Sequence, residues 1–301
     1  MFEPKYISLY RTGELGERIE KAQGLLRECN ICPRRCRVNR LENKLGVCKV
    51  GKLPKVASYN PHFGEESPLV GTHGSGTIFI TSCNLGCVFC QNYDISHLGK
   101  GYEVSFKRFA EMMIELQDLG CHNINFVTPT HVVPHILEAL SIAIREGLSI
   151  PLVYNTGGYD LVETLQLLEG IFDIYMPDFK FFDSDVAAKW CKTGDYPHVA
   201  MKAIREMHRQ VGDLVVNDRG IAERGLIVRH LVMPHGLAGT RKVMQFLAKD
   251  ISSNTYVNIM DQYHPCGLAH KYAEINRRIR DKEFEEALQI AHEEGISRLA
   301  D

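Results

Sequence analysis

From residue 77 onward, short apolar runs alternate with longer amphipathic ones, and this alternation limits the possible folds more tightly than any other feature. The runs 77–81, 122–127, 150–154, 171–176, 226–232 and 254–260 have the length and near-continuous apolarity of strands buried on two faces. Between them, 105–119, 132–146, 160–169, 196–211 and 237–250 carry helical spacing, and 269–294 closes the chain in the same way. Phe109, Met112, Met113, Leu116 and Leu119 form one packing stripe; Ile136, Leu137, Leu140 and Ile144 form another. Segment 212–225 fits a small hairpin or strand ahead of the fifth core strand. Repeated strand–helix units imply a mostly parallel sheet. Six of them suit a partial barrel or an open doubly wound sheet, because both bury their strands on two faces.

The first seventy residues read differently. A short helix is expected from Gly13 to Arg27, then a cysteine-rich knot at 29–55, then a stretch from Asn60 to Gly76 too polar and broken for a regular element. The expected organisation is an extension, 1–70, holding a four-cysteine metal module, and a core, 71–301, with the C-terminal helices. With 45% apolar and 24% charged residues the composition is that of a soluble globular protein. No apolar run approaches the roughly 20 residues that cross a bilayer. The opening Met-Phe-Glu-Pro-Lys has no basic stretch feeding an apolar segment, so the cytoplasm is the expected location, with no membrane partner. A net charge of -2 argues against a nucleic-acid partner, although 29–55 holds eight Lys or Arg against the single Glu42. That basic patch surrounds four cysteines and balances thiolate charge.

Seven of the ten cysteines fall within the first ninety residues, a pattern better suited to metal ligation than to disulfides in a chain of this length. Cys29, Cys32, Cys36 and Cys48 supply four thiolates within twenty residues, with Pro33 stiffening the first turn and Gly46 permitting the return. Four ligands close a site, as structural zinc or as an auxiliary iron–sulphur cluster. Cys83, Cys87 and Cys90 follow the first core strand as Cys-x3-Cys-x2-Cys. Three thiolates grip three corners of a cubane [4Fe-4S] cluster and leave its fourth iron open; zinc with a ligand from elsewhere is the alternative. Asn84 and Gly86 tolerate the required turns, and Val88 and Phe89 are placed to shield the cluster. Cys121 and Cys191 are expected to be small buried hydrophobes.

In parallel sheets chemistry gathers where the strands end, and the polar residues of this chain sit there. Thr128, Pro129, Thr130 and His131 follow the second strand; Asn155, Thr156, Gly157 and Gly158 the third; Asp178 and Lys180 the fourth; His235 the fifth; His264 the sixth. Asp178 and Lys180, two apart, share a side if the strand continues, whereas Arg229 and His230 point to opposite faces, so only one reaches the interior. Gly157 and Gly158 let backbone approach a ligand closely. Glu65 and Glu66, just ahead of the core, stand as possible substrate contacts together with His131, His230, His235 and His264.

At Cys83, Cys87, Phe89 and Cys90 the sequence resembles the radical S-adenosylmethionine superfamily, and more closely its branch related to pyruvate formate-lyase-activating enzymes. The likeness extends over Cys29 to Cys36, His62 to Glu66, Gly74 to Thr77, Gln91-Asn92 and Arg229 to Pro234. It implies a partial (β/α)6 barrel, an α/β fold, with the small N-terminal cysteine-rich metal-binding appendage. It also implies a [4Fe-4S] cluster on Cys83, Cys87 and Cys90 whose free iron chelates S-adenosylmethionine. Reductive cleavage then yields a 5′-deoxyadenosyl radical that takes hydrogen from a substrate. The implied partners are a reducing protein such as a flavodoxin or ferredoxin and a glycyl-radical protein. Radical modification of a small molecule or peptide is the alternative, with a non-catalytic electron carrier or interaction module below it. Implied cofactor-binding residues are Thr128, Thr130, Asn155, Thr156, Gly157, Gly158, Asp178 and Lys180. Thr156, Asp178 and Lys180 match the activating enzymes by residue type; the family's Gly-Gly-Glu after the second strand is replaced here by Thr128 to His131.

Overall fold

The computed structural model describes residues 2–300. Its strands are β1 (Lys55–His62), β2 (Ser75–Ile80), β3 (Tyr102–Glu103), β4 (Ile124–Val127), β5 (Leu152–Thr156), β6 (Ile174–Pro177), β7 (Val215–Val216), β8 (Ala222–Leu231), β9 (Tyr256–Met260) and β10 (Arg298–Leu299). They form one sheet in the order β10-β9-β8-β6-β5-β4-β2-β1-β3, with β7 paired to β8. The run β2, β4, β5, β6, β8, β9 is parallel throughout. An order that never reverses offers no topological switch point, so right-handed crossovers keep the helices on one face and the sheet reads as a partial barrel.

The helices are α1 (Lys5–Thr12), α2 (Glu14–Gly24), α3 (Ser67–Val70), α4 (Tyr93–Ser96), α5 (Phe106–Asp118), α6 (Val133–Arg145), α7 (Val162–Leu167), α8 (Ser184–Cys191), α9 (Tyr196–Val211), α10 (Thr240–Phe246) and α11 (Asp281–Glu293). Ser105 caps α5 by accepting the Arg108 N–H, and its expected stripe is buried except at Leu119, which is 61% exposed beyond the helix end. None of the helices is long and apolar enough to cross a membrane among the described residues.

Strand alternation gives the sheet two different faces. Toward the helices, Phe126, Tyr154 and Tyr175 pack edge-on with Phe109 and Phe172. On the inner face Val153, Ile174, Met176, Ala222 and Ile227 form a separate small core with Leu69 of α3 and Leu214. That core plugs the N-terminal end of the lumen and leaves the next inner-face positions, at the C-terminal end, to polar residues.

Three segments depart from the sequence expectation. The stretch from Asn60 to Gly76 is not irregular: β1 runs through Pro61 to His62 and pairs antiparallel with β2 and β3, and α3 follows. Pairing with β2, Asn60 opposite Thr77 and Pro61 opposite Gly76, outweighs the weak local propensity of Asn60 and Pro61. At the N-terminus α1 precedes α2, which ends at Gly24 rather than Arg27. The closing segment is two 3-10 turns at Ala269–Lys271 and Ala273–Ile275, with α11 starting only at Asp281.

Candidate cofactor site at the strand rim

The loop after β2 is held from both sides by backbone. Gly86 N–H donates to Cys191 O (3.2 Å) and Val88 N–H to Trp190 O (3.0 Å), so the end of α8 brackets Cys87. From the other side Leu268 N–H donates to Val88 O at 2.7 Å. The left-handed residue of the loop is Ser82 (φ 75°), not Asn84 or Gly86. Asn84 instead donates to Tyr159 O (2.7 Å), and Gly86 lacks a Cβ because one would sit 3.2 Å from Lys192 Cγ. Val88 and Phe89 are buried as expected, Phe89 edge-on to Phe181 and Tyr263.

Polar donors meet the cysteines. Leu85 N–H donates to Cys83 Sγ (3.3 Å) and Ser96 Oγ to Cys90 Sγ (3.2 Å), while Cys87 Sγ lies 3.3 Å from Cys191 Sγ. Burial pushes the Cys83 thiol up to about 12, with Cys87 adding to it; burial also raises Cys90. Cys87 rises through its contact with Cys191 and then through burial. Lys180 opposes the rise at all three. A thiol trio of this kind, with Cys87 buried and Cys83 and Cys90 half-buried, becomes thiolate only against strong positive charge, which an iron–sulphur cluster supplies. Among the described residues no three His, Cys, Asp or Glu side chains are drawn together tightly enough to hold a single metal ion. The donor set nonetheless has the chemistry of a three-thiolate cluster seat: sulphur ligands, N–H and O–H donors to them, and a buried cation beside them.

From this loop a chain of charge runs across the lumen. Lys180 Nζ pairs with Asp178 Oδ2 (2.5 Å), and Arg229 Nε with Asp178 Oδ1 (2.8 Å). Arg229 Nη2 also donates to Asn155 Oδ1 (2.7 Å), and its Nη1 lies 3.4 Å from Glu65. Burial pushes Asp178 up, but Arg229 and Lys180 outweigh it and hold the carboxyl below its usual range. Lys180 is raised despite burial, chiefly by Asp178. Beyond Arg229, Glu66 accepts from Asn258 Nδ2 at 2.9 Å.

Gly157 abuts the cluster loop, since a Cβ there would meet Leu85 Cδ1 at 2.9 Å. Gly158 (φ 78°) passes so close to Asp178 O that a Cβ would lie 2.5 Å from it. The Tyr196 hydroxyl knots these rim loops, accepting from Lys180 N–H (2.9 Å) and lying 3.0 and 2.9 Å from the carbonyls of Gly157 and Asp178.

Several expected positions separate here. Asn155 and Asp178 point into the lumen, but Thr156, one residue on, turns outward and donates to buried Asp160 (2.7 Å), with Thr130 Oγ1 3.1 Å away. Thr128 lies half-buried at φ 64°, its N–H donating to Asn155 O. Arg229 is the inward member of its pair; His230 is buried on the helix side, between Phe179 O (2.8 Å) and Thr240 Oγ1 (3.0 Å). His131 is buried against Thr81 O (2.9 Å). His235 is exposed and His264 half-buried against its own segment, at Gln262 O. The structure therefore gathers Asn155, Gly157, Asp178, Lys180, Glu65 and Glu66, but not these four histidines. Tyr196, Asp160 and the Cys191 contact went unread in the sequence, because each is a long-range or outward-facing partner with no local motif.

Cys29, Cys32, Cys36 and Cys48 line one small cavity with Arg40, Asn84 and His131. Burial pushes Cys32 up to about 12. Gly46 is required by proximity, since a Cβ would fall 2.8 Å from Cys36 Sγ. Arg40 is fully buried; its Nη1 donates to His131 O (2.8 Å) and lies 3.9 Å from Cys29 Sγ, while Nε and Nη2 have no partner among the described residues. A buried guanidinium facing four thiols is costly unless those thiols carry negative charge, as they do on a metal. Arg34 ties this module to the rim loop, donating to Asn84 O at 2.8 Å.

Comparison with known proteins agrees with this geometry. The Radical SAM superfamily profile matches residues 77–222. The chain is 34% identical over 294 residues to the uncharacterized protein MJ0674 of Methanocaldococcus jannaschii, covering 94% of this chain and 80% of that one. Its fold is similar to that of HydG, a maturase of the [FeFe]-hydrogenase (TM-score 0.50, 11% identity), over 73% of this chain and 49% of that one. The chain thus spans about half of that maturase. A structure of TYW1 with a lysine-pyruvate adduct bound gives a TM-score of 0.46 at 10% identity, over 75% of this chain and 76% of that one. With the three-cysteine loop at the end of its first parallel strand, this chain belongs to the radical SAM superfamily and is a radical SAM oxidoreductase.

Proposed function

We propose that Cys83, Cys87 and Cys90 hold a [4Fe-4S] cluster, that S-adenosylmethionine binds between it and the strand rim, and that the polar lumen receives the substrate. When bound, this pair supplies reductive carbon–sulphur cleavage and hydrogen-atom abstraction. The observation that carries the reading is the continuous polar path from the cluster loop through Lys180, Asp178 and Arg229 to Glu65 on one lumen face. Asp178 and Asn155 offer acceptors to hydroxyl or amino groups, Lys180 offers a cation to a carboxylate, and Gly157 and Gly158 offer open backbone. Val88, Phe89 and the inner-face core keep water from one side and from below.

The remaining parts of the reading have their own support. The four-cysteine module holds zinc or a second iron–sulphur cluster, its thiolates offset by Arg40. Around it Arg35, Arg37, Lys44, Lys49 and Lys52 are exposed, with Leu45 and Val47 more than half exposed beside Cys36. That surface suits an acidic reducing protein such as a flavodoxin or ferredoxin. Among the described residues the sheet ends at β3 and β10 without a strand joining them, a lateral opening of the kind a glycyl-radical activase needs to admit a loop of its protein substrate.

The test is anaerobic reconstitution followed by electron paramagnetic resonance of the reduced protein. S-adenosylmethionine is expected to change the cluster signal of the wild-type chain, and Cys87→Ala to lose that signal. A full cluster signal in Cys87→Ala, or one indifferent to saturating S-adenosylmethionine, contradicts the assignment.

A further inference from the structure

We propose that the substrate carries a primary ammonium group and that Glu66 receives it. This rests on the lumen being the reaction chamber. Three carboxylates, Glu65, Glu66 and Asp178, share the lumen with two cations, Arg229 and Lys180. Both cations are already committed: Lys180 to Asp178, and Arg229 to Asp178, Asn155 and Glu65. Among hydrogen-bond partners Glu66 is left with a neutral amide, and Arg229 reaches its charge only through space. Glu66 Oε1 accepts from Asn258 Nδ2, while its Oε2 is buried with no hydrogen-bond partner among the described residues, on a residue only 6% exposed.

A buried carboxylate oxygen without a partner carries a desolvation cost that a cationic ligand removes. Its position is fixed from two sides, by Asn258 on β9 and by the α3 turn, where Leu69 N–H donates to Glu66 O at 2.8 Å. Asn258 pairs in register with Arg229, so Glu66 lies across Arg229 from the cluster loop. The single open oxygen selects the cation. The bidentate mode that favours a guanidinium needs both oxygens of a carboxylate, and Oε1 is taken by Asn258; an ammonium is a point donor and needs one.

The experiment is isothermal titration of the reconstituted protein loaded with S-adenosylmethionine. The probes are n-pentylammonium and Nα-acetyl-lysine N-methylamide, against neutral n-pentanol and anionic pentanoate. Ammonium probes are expected to bind in preference to both controls, and Glu66→Gln to weaken them by about tenfold or more, the worth of one charge-assisted contact. Tighter binding of the capped lysine places the amine on a polypeptide; tighter binding of pentylammonium places it on a small molecule. Asn258→Leu, which keeps the charge but releases Oε1, is expected to weaken the same probes about threefold to tenfold and stands in if Glu66→Gln does not fold. Equal binding of n-pentanol overturns the proposal. So does unchanged ammonium affinity in Glu66→Gln (or, where that variant does not fold, in Asn258→Leu), or no ammonium binding by wild-type protein that binds S-adenosylmethionine. Failure of the wild type to bind S-adenosylmethionine at all counts against the assigned cofactor site instead.

Discussion

Arg229 is the residue on which the lumen's charge balance turns, because its guanidinium serves Asp178, Asn155 and Glu65 at once. Arg229→Met leaves Glu65 without its cation and Asp178 with Lys180 alone, and a loss of about 3 to 5 kcal/mol in denaturant unfolding is expected. A second prediction concerns Asp173, at the opposite end of the barrel. Burial pushes its carboxyl up to about 7, against the Leu152 N–H that favours its charged form. A raised folded-state pKa stabilises fully below the ordinary carboxyl value and loses that contribution as pH rises through about 7. In thermal unfolding the stability of wild type relative to Asp173→Asn should therefore fall as pH rises from roughly 4 to 7, a difference that isolates this carboxyl from the buried histidines. At this scale the sequence was legible wherever spacing or alternation carried the message. The Cys83, Cys87 and Cys90 loop and the opposite facing of Arg229 and His230 are both of that kind. Tyr196 and Cys191 were not legible, since their partners lie far along the chain or across a packed interface.

At the level of elements, the rim loops depend on backbone fit more than on side chains. Gly158 combines a left-handed φ with a carbonyl where a Cβ would go, so Gly158→Ala is expected to cost about 1 to 3 kcal/mol and to loosen the Tyr196 knot. Unfolding midpoints and hydrogen exchange at Lys180 N–H check both effects. The cysteine-rich module stores strain of another sort: Arg35, Arg37, Asn43 and Lys49 all have positive φ within fifteen residues. With little core to hold such a backbone, a bound metal is the natural constraint. Chelation should raise hydrogen exchange across 29–50 while α5, α6 and the parallel strands stay protected. Uniform loss of protection everywhere, or none, contradicts a local metal role. The long helices α5, α6 and α9 and the six parallel strands were readable from periodicity. β1 was not, because its stability comes from β2 and β3 rather than from its own residues.

For the whole molecule, strand order decides what composition left open. Parallel strands in unbroken chain order place all their C-terminal ends on one rim, and that rim collects the thiols, Lys180, Asp178 and Asn155 around one chamber. The choice between a partial barrel and a doubly wound sheet depends on which strands neighbour one another, and no local pattern encodes that. The two cysteine sets divide the labour across the molecule: four that enclose a cavity with Arg40, and three that stop at the rim. The measurement that bears most directly on this account is 5′-deoxyadenosine formed by the reconstituted, reduced protein given S-adenosylmethionine under anaerobic conditions. Product is expected from the wild type, none from Cys87→Ala, and product from Cys32→Ala wherever that variant keeps its rim cluster. Absence of 5′-deoxyadenosine from a fully loaded, reduced wild type, or its formation by Cys87→Ala, contradicts the account.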